Sequence, residues 1–222
     1  MKILALDTST EACSVALCYG DKIISRYEIA PQMHTQLILP MIDELLTESS
    51  LEPSQLDALA FGRGPGAFTG VRIATGIIQG IAFAADLPVI PVSSLAAIAQ
   101  GCRREQGAEK VISAIDARMG EVYWGHFHLK SEIMVACSEE AVSKPDQIFK
   151  PDGEGWFGAG SGWESYGEQL SESLASKVSE NVSNAYPHAI DTLELAKDAF
   201  NKGEMISAEQ AHPVYLRDNV TS

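Results

Sequence analysis

The chain has 222 residues, of which 45% are hydrophobic, and this length and composition are typical of a globular protein with a substantial core. It carries 30 acidic and 16 basic residues, a formal net charge of -14, so most of its surface repels the phosphate backbone of a nucleic acid. Half of this imbalance lies between Ser131 and Val182, where ten acidic residues stand against three basic ones. Any work on nucleic acid would therefore need a basic partner.

The first ten residues, MKILALDTST, contain one lysine and a short apolar run, which is too short for a signal-peptide core or a membrane span. We therefore expect a cytoplasmic protein that does not contact a membrane. The four cysteines, Cys13, Cys18, Cys102 and Cys137, form no CxxC pair and have no spacing matched to histidine. This pattern argues against zinc and against a disulfide framework, and we expect reduced, mostly buried thiols.

Three strands open the predicted fold: KILALD, ACSVALCYG and DKIISRYEIA, the last two joined at Gly20-Asp21, which is typical of a two-residue hairpin turn. Residues 33 to 47 have apolar side chains at helical spacing and predict an amphipathic helix, bent at Pro40. LDALAFGRG predicts a strand and a glycine turn, GVRIATGIIQGIAFAAD a second helix, LPVIPV a strand and SSLAAIAQGC the start of a third helix. The predicted order is β-β-β-α-β-α-β-α.

After Gly107 the pattern begins again: KVISAIDAR and GEVYWGHFHL predict two strands that meet at residues 118–120, and SEIMVAC predicts a third. KPDGEGWFGAGSGWE is predicted to be a glycine-rich edge facing a cleft, and SESLASKVSENVSN a helix end running into a loop. TLELAKDAFNKG predicts a helix that stops at Gly203, followed by an extended tail, HPVYLRD. We therefore expect an N-terminal lobe of residues 1–106, a C-terminal lobe of residues 107–203, and a tail of residues 204–222 that packs back on the first lobe.

Two stretches of the first lobe are candidates for binding. In DTSTEACSVAL an acid at a strand end is followed by hydroxyls and backbone N–H groups that could hold a phosphate, although serine and threonine also simply favour turns. GRGPGAFTG lacks the Lys-Ser/Thr ending of a P-loop and the G-x-G-x-x-G spacing, so it predicts a strand-to-helix joint instead. In such a joint Gly64, Gly66 and Gly70 allow backbone angles that a Cβ would forbid, and Phe68 is left exposed or docked on a neighbour.

Small residues mark one face of the second predicted helix. Gly76, Gly80 and Ala84 recur at i, i+4 and i+8, which lets another helix approach closely, while Arg72 and Gln79 argue against a membrane helix. Packing on its own sheet and contact with a partner both remain open for this face. The first helix adds to the case for a partner, because seven apolar positions exceed what one buried stripe requires.

The second lobe has weaker candidates. Asp116 and Arg118 stand at a hairpin corner that could mirror the Asp7 turn, or they could form only a local surface ion pair. GAGSGW could let a backbone approach a purine, but glycine clusters are also common in loops. His126 and His128 lie on one strand face without a third metal ligand, so we expect solvated side chains.

The segments LALDTST, CSVAL, GRGPGAFTGVRIA, IDARMGEVY and PVYLR resemble the bacterial TsaB (YeaZ) family, over nearly the whole chain. This resemblance implies an α/β, two-lobed fold of the actin-like ATPase, sugar kinase and Hsp70 kind, which is ribonuclease H-like and here reduced in size. It also implies a part in making N6-threonylcarbamoyladenosine in tRNA, as the partner of TsaD, a larger catalytic relative.

The same resemblance gives meaning to an absence. The catalytic relative has a His-x-x-x-His metal pair where this chain reads Ser93-Ser94-Leu95-Ala96-Ala97-Ile98, and serine and isoleucine cannot replace two imidazoles. We therefore expect no metal site, no catalytic residues and a scaffold role. Neither H-E-x-x-H nor a credible Ser-His-Asp set is present, which argues against a protease.

The resemblance carries over two sets of site residues. At most weak or vestigial ATP or ADP binding, at or near the junction with the partner, is implied for Asp7, Thr8, Ser9, Asp116, Arg118, Gly120, Gly158, Ala159 and Gly160. The partner surface is implied to contain His34, Leu37, Ile38, Met41, Leu45, Phe68, Ile73, Gly76, Ile77 and Gly80. The expected partners are TsaD, the ATPase TsaE through the complex, a second copy when the chain is alone, and tRNA only indirectly. The alternative is a small ATPase or phosphotransferase that uses the cleft between the lobes.

Overall fold

In a computed structural model, which describes residues 1–217, the chain forms two compact units, each built on its own sheet. The first unit contains residues 1–97 and 187–214, and the second contains residues 98–186 and 215–217 of the described chain. These units differ from the expected lobes of 1–106 and 107–203, because the boundary falls inside the third helix and residues 187–203 belong to the first unit. The expected tail is divided in the same way, and its residues 218–222 lie outside the described part.

The first unit has a five-stranded sheet in the order β3-β2-β1-β4-β5. Strand β1 is antiparallel to β2 and parallel to β4, and the β2–β3 hairpin turns at Gly20-Asp21 as predicted, with Tyr19 opposite Lys22. The strands are β1 (Lys2–Asp7), β2 (Ala12–Tyr19), β3 (Lys22–Ile29), β4 (Ala58–Gly64) and β5 (Val89–Ser93).

Helices cover both faces of this sheet because its central strands are apolar on both sides. On β1, Leu4 and Leu6 point into the core shared with α1 (His34–Ser49) and α2 (Phe68–Ala85), both of which were predicted. Ile3 and Ala5 point the other way and are covered by α5 (Ala189–Lys202). The sequence analysis places α5 in the second lobe, which is wrong: its Leu193 packs on the first sheet.

The edge strand β5 is partly covered by the chain that follows α5. Val89 and Ile206 exchange two backbone hydrogen bonds of 2.9 Å, and Gln79 donates a side-chain hydrogen bond of 2.8 Å to the Ala211 carbonyl. A further backbone bond of 2.8 Å runs from Val214 to the Arg63 carbonyl. Residues 204–214 therefore pack on the first unit, as the predicted tail would.

The second unit has a six-stranded sheet in the order β11-β10-β6-β7-β8, with β9 paired to β7. Its central strand β6 is antiparallel to β7 and parallel to β10, which repeats the arrangement around β1. The elements from the boundary onward are α3 (Ser94–Gln106), β6 (Lys110–Arg118), β7 (Glu121–Lys130), β8 (Ile133–Ala136), β9 (Ala141–Ser143), β10 (Trp156–Ala159), α4 (Ser161–Leu174) and β11 (Val178–Val182). Strand β11 lies where the sequence predicts a loop. The end of α4 agrees with the helix end predicted in SESLASKVSENVSN, whereas its start at Ser161 is not predicted.

His126 corrects another expectation. It is 1% exposed rather than solvated, because its face of β7 lies between Trp124 and Trp156, with ring centroids at 5.0 and 5.6 Å. Its Nε2 has no hydrogen-bond partner, and burial lowers the pKa of the imidazole to about 4. His128 is half-buried, and its Nδ1 lies 3.1 Å from Cys137 Sγ. All four cysteines are free thiols, three of them buried and Cys137 exposed.

Helix α2 is strongly apolar although much of its surface is exposed. Within residues 1–217 it is the helix whose length and mean hydropathy of 1.4 would suit a membrane span. Core helices of globular proteins reach the same length and hydropathy, and the buried face of α2 packs on β4 of its own unit. The apolar side chains on its other face still require an explanation.

Candidate functional site

The first predicted phosphate turn is closed. The Asp7 side chain is 1% exposed, and Thr8 and Ser9 are fully buried. Thr8 Oγ1 donates to the Gly70 carbonyl at 2.7 Å, while the Ser9 N–H and Oγ both donate to Asp7 Oδ1, at 2.7 and 2.6 Å. Burial raises the pKa of the Asp7 carboxyl, and the hydrogen bonds from Ser9 and Ser94 only partly oppose this. The polar groups of the turn are therefore engaged within the unit.

The glycine stretch is what closes this turn. A Cβ on Gly62 would overlap the Asp7 carboxylate, one on Gly66 the Ser9 carbonyl, and one on Gly70 the Thr8 carbonyl. The Ala67 N–H donates to the Ser9 carbonyl at 2.7 Å, so the two segments are in direct backbone contact. The prediction of a strand-to-helix joint is confirmed, since β4 ends at Gly64 and α2 begins at Phe68. The glycines serve a close approach of two backbones.

The second predicted phosphate turn is more open. Asp116 accepts hydrogen bonds from the Arg118 N–H at 2.8 Å, from Arg118 Nη1 at 3.1 Å and from Ser165 Oγ at 3.1 Å. The Asp116 side chain is 13% exposed and that of Arg118 is 75% exposed. Arg118, Met119 and Gly120 all have positive φ, of 63°, 57° and 78°. The local ion pair left open by the sequence is thus present in this turn.

The predicted adenosine loop, residues 158–160, is buried within the second unit. A Cβ on Gly158 would lie 2.5 Å from the Trp163 ring, and one on Gly160, whose φ is 110°, would overlap the Ala114 carbonyl. These glycines therefore serve packing in the same way as Gly62 and Gly66 do. The Asp7 turn belongs to the first unit and the Asp116 turn to the second.

A serine and a histidine that the sequence analysis missed come close together in the first unit. Ser14 Oγ lies 3.5 Å from His188 Nδ1, which suggests a hydrolytic pair. However, Ser14 is fully buried, and its hydroxyl donates to the Arg26 carbonyl at 3.2 Å and accepts from the Ala189 N–H at 2.9 Å. His188 Nδ1 in turn accepts from the Ile190 N–H. The pair holds the start of α5 and offers no accessible nucleophile. Among residues 1–217 no group of three or more His, Cys, Asp and Glu side chains could hold a metal ion.

Four of the ten predicted partner residues cannot be surface contacts. His34, Ile38, Met41 and Leu45 recur at helical spacing and form the inward face of α1, so they are buried in the core of the first unit. The family resemblance implied them as partner residues, because it maps the partner surface onto α1 and does not separate the inward from the outward face of that helix. Leu37, between them in sequence, is half-buried. This part of the prediction is wrong.

The other five predicted residues lie on α2, where Ile73 and Ile77 are half-buried and pack partly against the core of the first unit. Gly76 and Gly80 are exposed, and no atom lies within 4 Å of a Cβ built on either. Phe68 is 54% exposed, with the Arg72 guanidinium carbon 3.1 Å from its ring centroid, and Phe83, which the sequence analysis missed, is 78% exposed. Phe83 could have been found, since it follows Gly76 and Gly80 on the same face at i+7 and i+3. We call the following set the α2 strip: Phe68, Ile73, Gly76, Ile77, Gly80 and Phe83.

Comparison with known proteins identifies the family. The family model TsaD, tRNA N6-adenosine threonylcarbamoyltransferase, matches residues 22–222. Two proteins described as tRNA threonylcarbamoyladenosine biosynthesis protein TsaB, from Escherichia coli K12 and Haemophilus influenzae, are each 45% identical to the chain. The matches cover 99% and 100% of this chain and 96% and 95% of those proteins. The chain belongs to the TsaB family.

Solved structures agree with this assignment. YeaZ from Pseudomonas aeruginosa is 51% identical and superimposes with a TM-score of 0.91, over 97% of this chain and 99% of its own. The fold class is therefore α/β with two sheets, as expected. Its kinship with the actin-like ATPases and sugar kinases stays a prediction from the family resemblance. The names of the TsaB relatives indicate a role in tRNA threonylcarbamoyladenosine biosynthesis. Another Pseudomonas aeruginosa structure, 50% identical, is described as similar to peptidase YEAZ. In this chain Ser14, the serine that lies beside His188, is buried and cannot reach a peptide substrate.

Proposed function

We propose that this chain is a non-catalytic scaffold subunit in the formation of N6-threonylcarbamoyladenosine in tRNA. Its first unit binds the catalytic relative TsaD through α2, with support from the outer edge of α1, and holds that enzyme competent to transfer threonylcarbamoyl to adenosine. TsaE joins through the complex, and tRNA is contacted only indirectly. Alone, the chain pairs with a second copy through the same surface in the cytoplasm.

The observation that carries this proposal is the α2 strip. Its two central glycines present bare backbone, and Phe68 and Phe83 stand exposed at its two ends. A helix face of this kind lets a second helix approach closely, and buried aromatic side chains supply much of the binding energy in protein interfaces. A solvated helix of a monomer would carry several charged side chains on this face, whereas Arg72, whose guanidinium covers the Phe68 ring, is the one charged residue of α2.

The closed Asp7 turn supports a scaffold rather than an enzyme. A phosphate would have to displace hydrogen bonds already made by Thr8 and Ser9. The turn and the glycine joint also lie too close together to admit even a Cβ atom between them. Burial also raises the pKa of Asp7, which disfavours the charged carboxylate that would hold a magnesium ion. Nucleotide binding to this chain is accordingly weak, and any bound ATP or ADP sits near the junction with TsaD.

The test uses a matched pair of glycine substitutions. Gly80→Glu places a charge in the centre of the α2 strip, while Gly167→Glu makes the same change in α4, where a Cβ also meets no atom within 4 Å. Both variants should fold at least as well as the wild type, because glycine within a helix costs about 1 kcal/mol relative to alanine. Only Gly80→Glu should abolish the TsaD complex and the homodimer on a sizing column, and with them tRNA modification by the reconstituted mixture.

An unchanged complex with Gly80→Glu would contradict the scaffold surface. The competing proposal, a small ATPase or phosphotransferase, requires steady Mg²⁺-dependent ATP turnover by the purified chain, lost in Asp7→Ala. We expect no such turnover above the background of a mock purification. Turnover that survives purification and disappears with Asp7→Ala would replace the scaffold by the enzyme.

A further inference from the structure

A groove of about 430 Å³ lies in the first unit at the C-terminal end of α2. The chain after α5 forms its second wall, through residues 205–209. Its lining includes no lysine or arginine. The apolar side chains of its walls are those of Phe83, Leu87, Met205 and Ile206. Two carboxylates, those of Asp86 and Glu209, also line it.

Asp86 occupies a position at which an aspartate destabilises the fold. It caps the C-terminus of α2 with a φ of 52°, a conformation that favours glycine. The C-terminal end of a helix carries a partial negative charge, which a cation stabilises and a carboxylate destabilises. The last turn of α2 contains no basic residue. In the part of the chain that the structure describes, the Asp86 carboxylate receives neither a hydrogen bond nor an ion pair.

Local features that oppose folding stability are concentrated at functional sites. Here the helix end and Asp86 combine into one negative spot beside exposed apolar surface, and Glu209, which accepts a hydrogen bond of 3.2 Å from Ser207 Oγ, adds a second carboxylate. The chemical complement of this groove is a cation with an apolar neighbour. Phe83 belongs both to the groove and to the α2 strip, so one partner can cover the two without a break.

We infer that this groove accepts a lysine or arginine, flanked by an apolar side chain, from the same protein that covers the α2 strip; the inference rests on the proposed function. The basic side chain pairs with Asp86 and faces the α2 carbonyl end, while its apolar neighbour packs on Phe83 and Leu87. A charge at the rim of an interface acts mainly on the association rate and its salt dependence. The groove therefore adds selectivity for a basic partner to a chain that is strongly acidic overall.

The experiment exploits the conflict at Asp86. Asp86→Gly should raise the Tm by about 1–3 °C, because glycine suits the positive φ and the repulsion with the helix end is removed. The same variant should weaken the Kd for TsaD of the same organism about fivefold to tenfold at low salt, and flatten the salt dependence of that Kd. Asp86→Asn should weaken binding similarly. Glu168→Gln, which removes an exposed charge from α4, should change neither quantity.

The outcomes separate this inference from the scaffold proposal. If TsaD binds the wild type, fails to bind Gly80→Glu, and binds the Asp86 variants with unchanged affinity, the groove inference is overturned and the scaffold stands. If TsaD does not bind the wild type, both fail. If the Asp86 variants weaken self-association in sedimentation but leave the TsaD affinity unchanged, the occupant is a second copy and the inference is wrong. A lowered Tm together with weaker binding would point to a structural role and also count against it.

Discussion

The two units repeat one strand order, yet the exposed face of the corresponding helix is apolar in the first unit and acidic in the second. In the first unit the central strand β1 ends at Asp7, and in the second Asp116 lies two residues before the end of β6. In both units a parallel neighbouring strand leads through a glycine joint into a helix. In the first unit that helix is α2, which exposes glycines and phenylalanines. In the second it is α4, which exposes Glu164 and Glu168. The two units therefore differ in the outward face of this helix and not in their strand order.

The aspartates differ in the same way. Asp7 is buried under a joint that leaves no space, whereas Asp116 is partly exposed and paired with Arg118. The closed turn goes with the helix that offers an apolar face, and the open turn goes with the solvated helix. Three predictions test this contrast between the units, beginning with the largest expected effect.

The first prediction concerns the joints, which should be equally intolerant of a side chain. Gly66→Val forces a Cβ onto the Ser9 carbonyl, and Gly160→Val forces one onto the Ala114 carbonyl at a positive φ. Each should lower the free energy of unfolding by about 3 kcal/mol or more, because backbone atoms cannot move aside. Urea unfolding followed by circular dichroism measures this, with Gly76→Val as the control at an open position. A tolerated Gly66→Val would show that the first joint is not closed.

The second prediction is that acid affects the two units in opposite directions. His126 has its pKa lowered from 6.5 to about 4, so the unfolded chain binds more protons and the second unit loses about 3 kcal/mol as pH falls from 6.5 to 4. The raised pKa of Asp7 has the reverse sign: the folded first unit takes up a proton before the unfolded chain does, and gains stability as pH falls toward 3.8.

Tryptophan fluorescence reports on the second unit alone, because Trp124, Trp156 and Trp163 all lie there. His126→Leu should therefore remove most of the acid sensitivity of the tryptophan signal, while His128→Leu, the control on the same strand, should retain it. An equal acid midpoint for wild type and His126→Leu would mean that the imidazole is not held neutral.

The smallest effect is expected at the open turn. Arg118→Ala should change the free energy of unfolding by less than about 0.5 kcal/mol, because the guanidinium is largely exposed and surface ion pairs contribute little. Thermal unfolding of the purified variant measures the difference. A loss several times larger would show that Arg118 organises the hairpin, and would make the two turns more alike than the structure indicates.

The sequence was sufficient for the first unit's elements because its apolar spacing matches the geometry of each one, as in β1 and α2. Of α4 it predicted only the end, because the helix begins at Ser161-Gly162 and has non-helical angles at Tyr166. It missed β11, whose residues VSENV are mostly polar. Local patterns also do not say which sheet a helix covers, so α5 was assigned to the wrong lobe.

The site was predicted less well than the fold. Apolar spacing located α1 and α2, but it could not tell the inward residues Ile38 and Leu45 from an outward face, since that depends on which side meets the sheet. The turn at Asp7 was found from its residue types, while its closure depends on contacts with Gly62 and Gly70 across the sheet. Burial of His126 had no signal in the sequence, because histidine is compatible with either environment.

The antiparallel bridge between Val89 and Ile206 has a consequence for how far the chain can be shortened. Strand β5 ends its sheet, and unpaired backbone at such an edge is a template for strands of other molecules. By occupying Val89, the segment after α5 shields that template. A protein trimmed just beyond Gly203 would keep α1, α2, α5 and all five strands of its first unit and still be prone to polymerise.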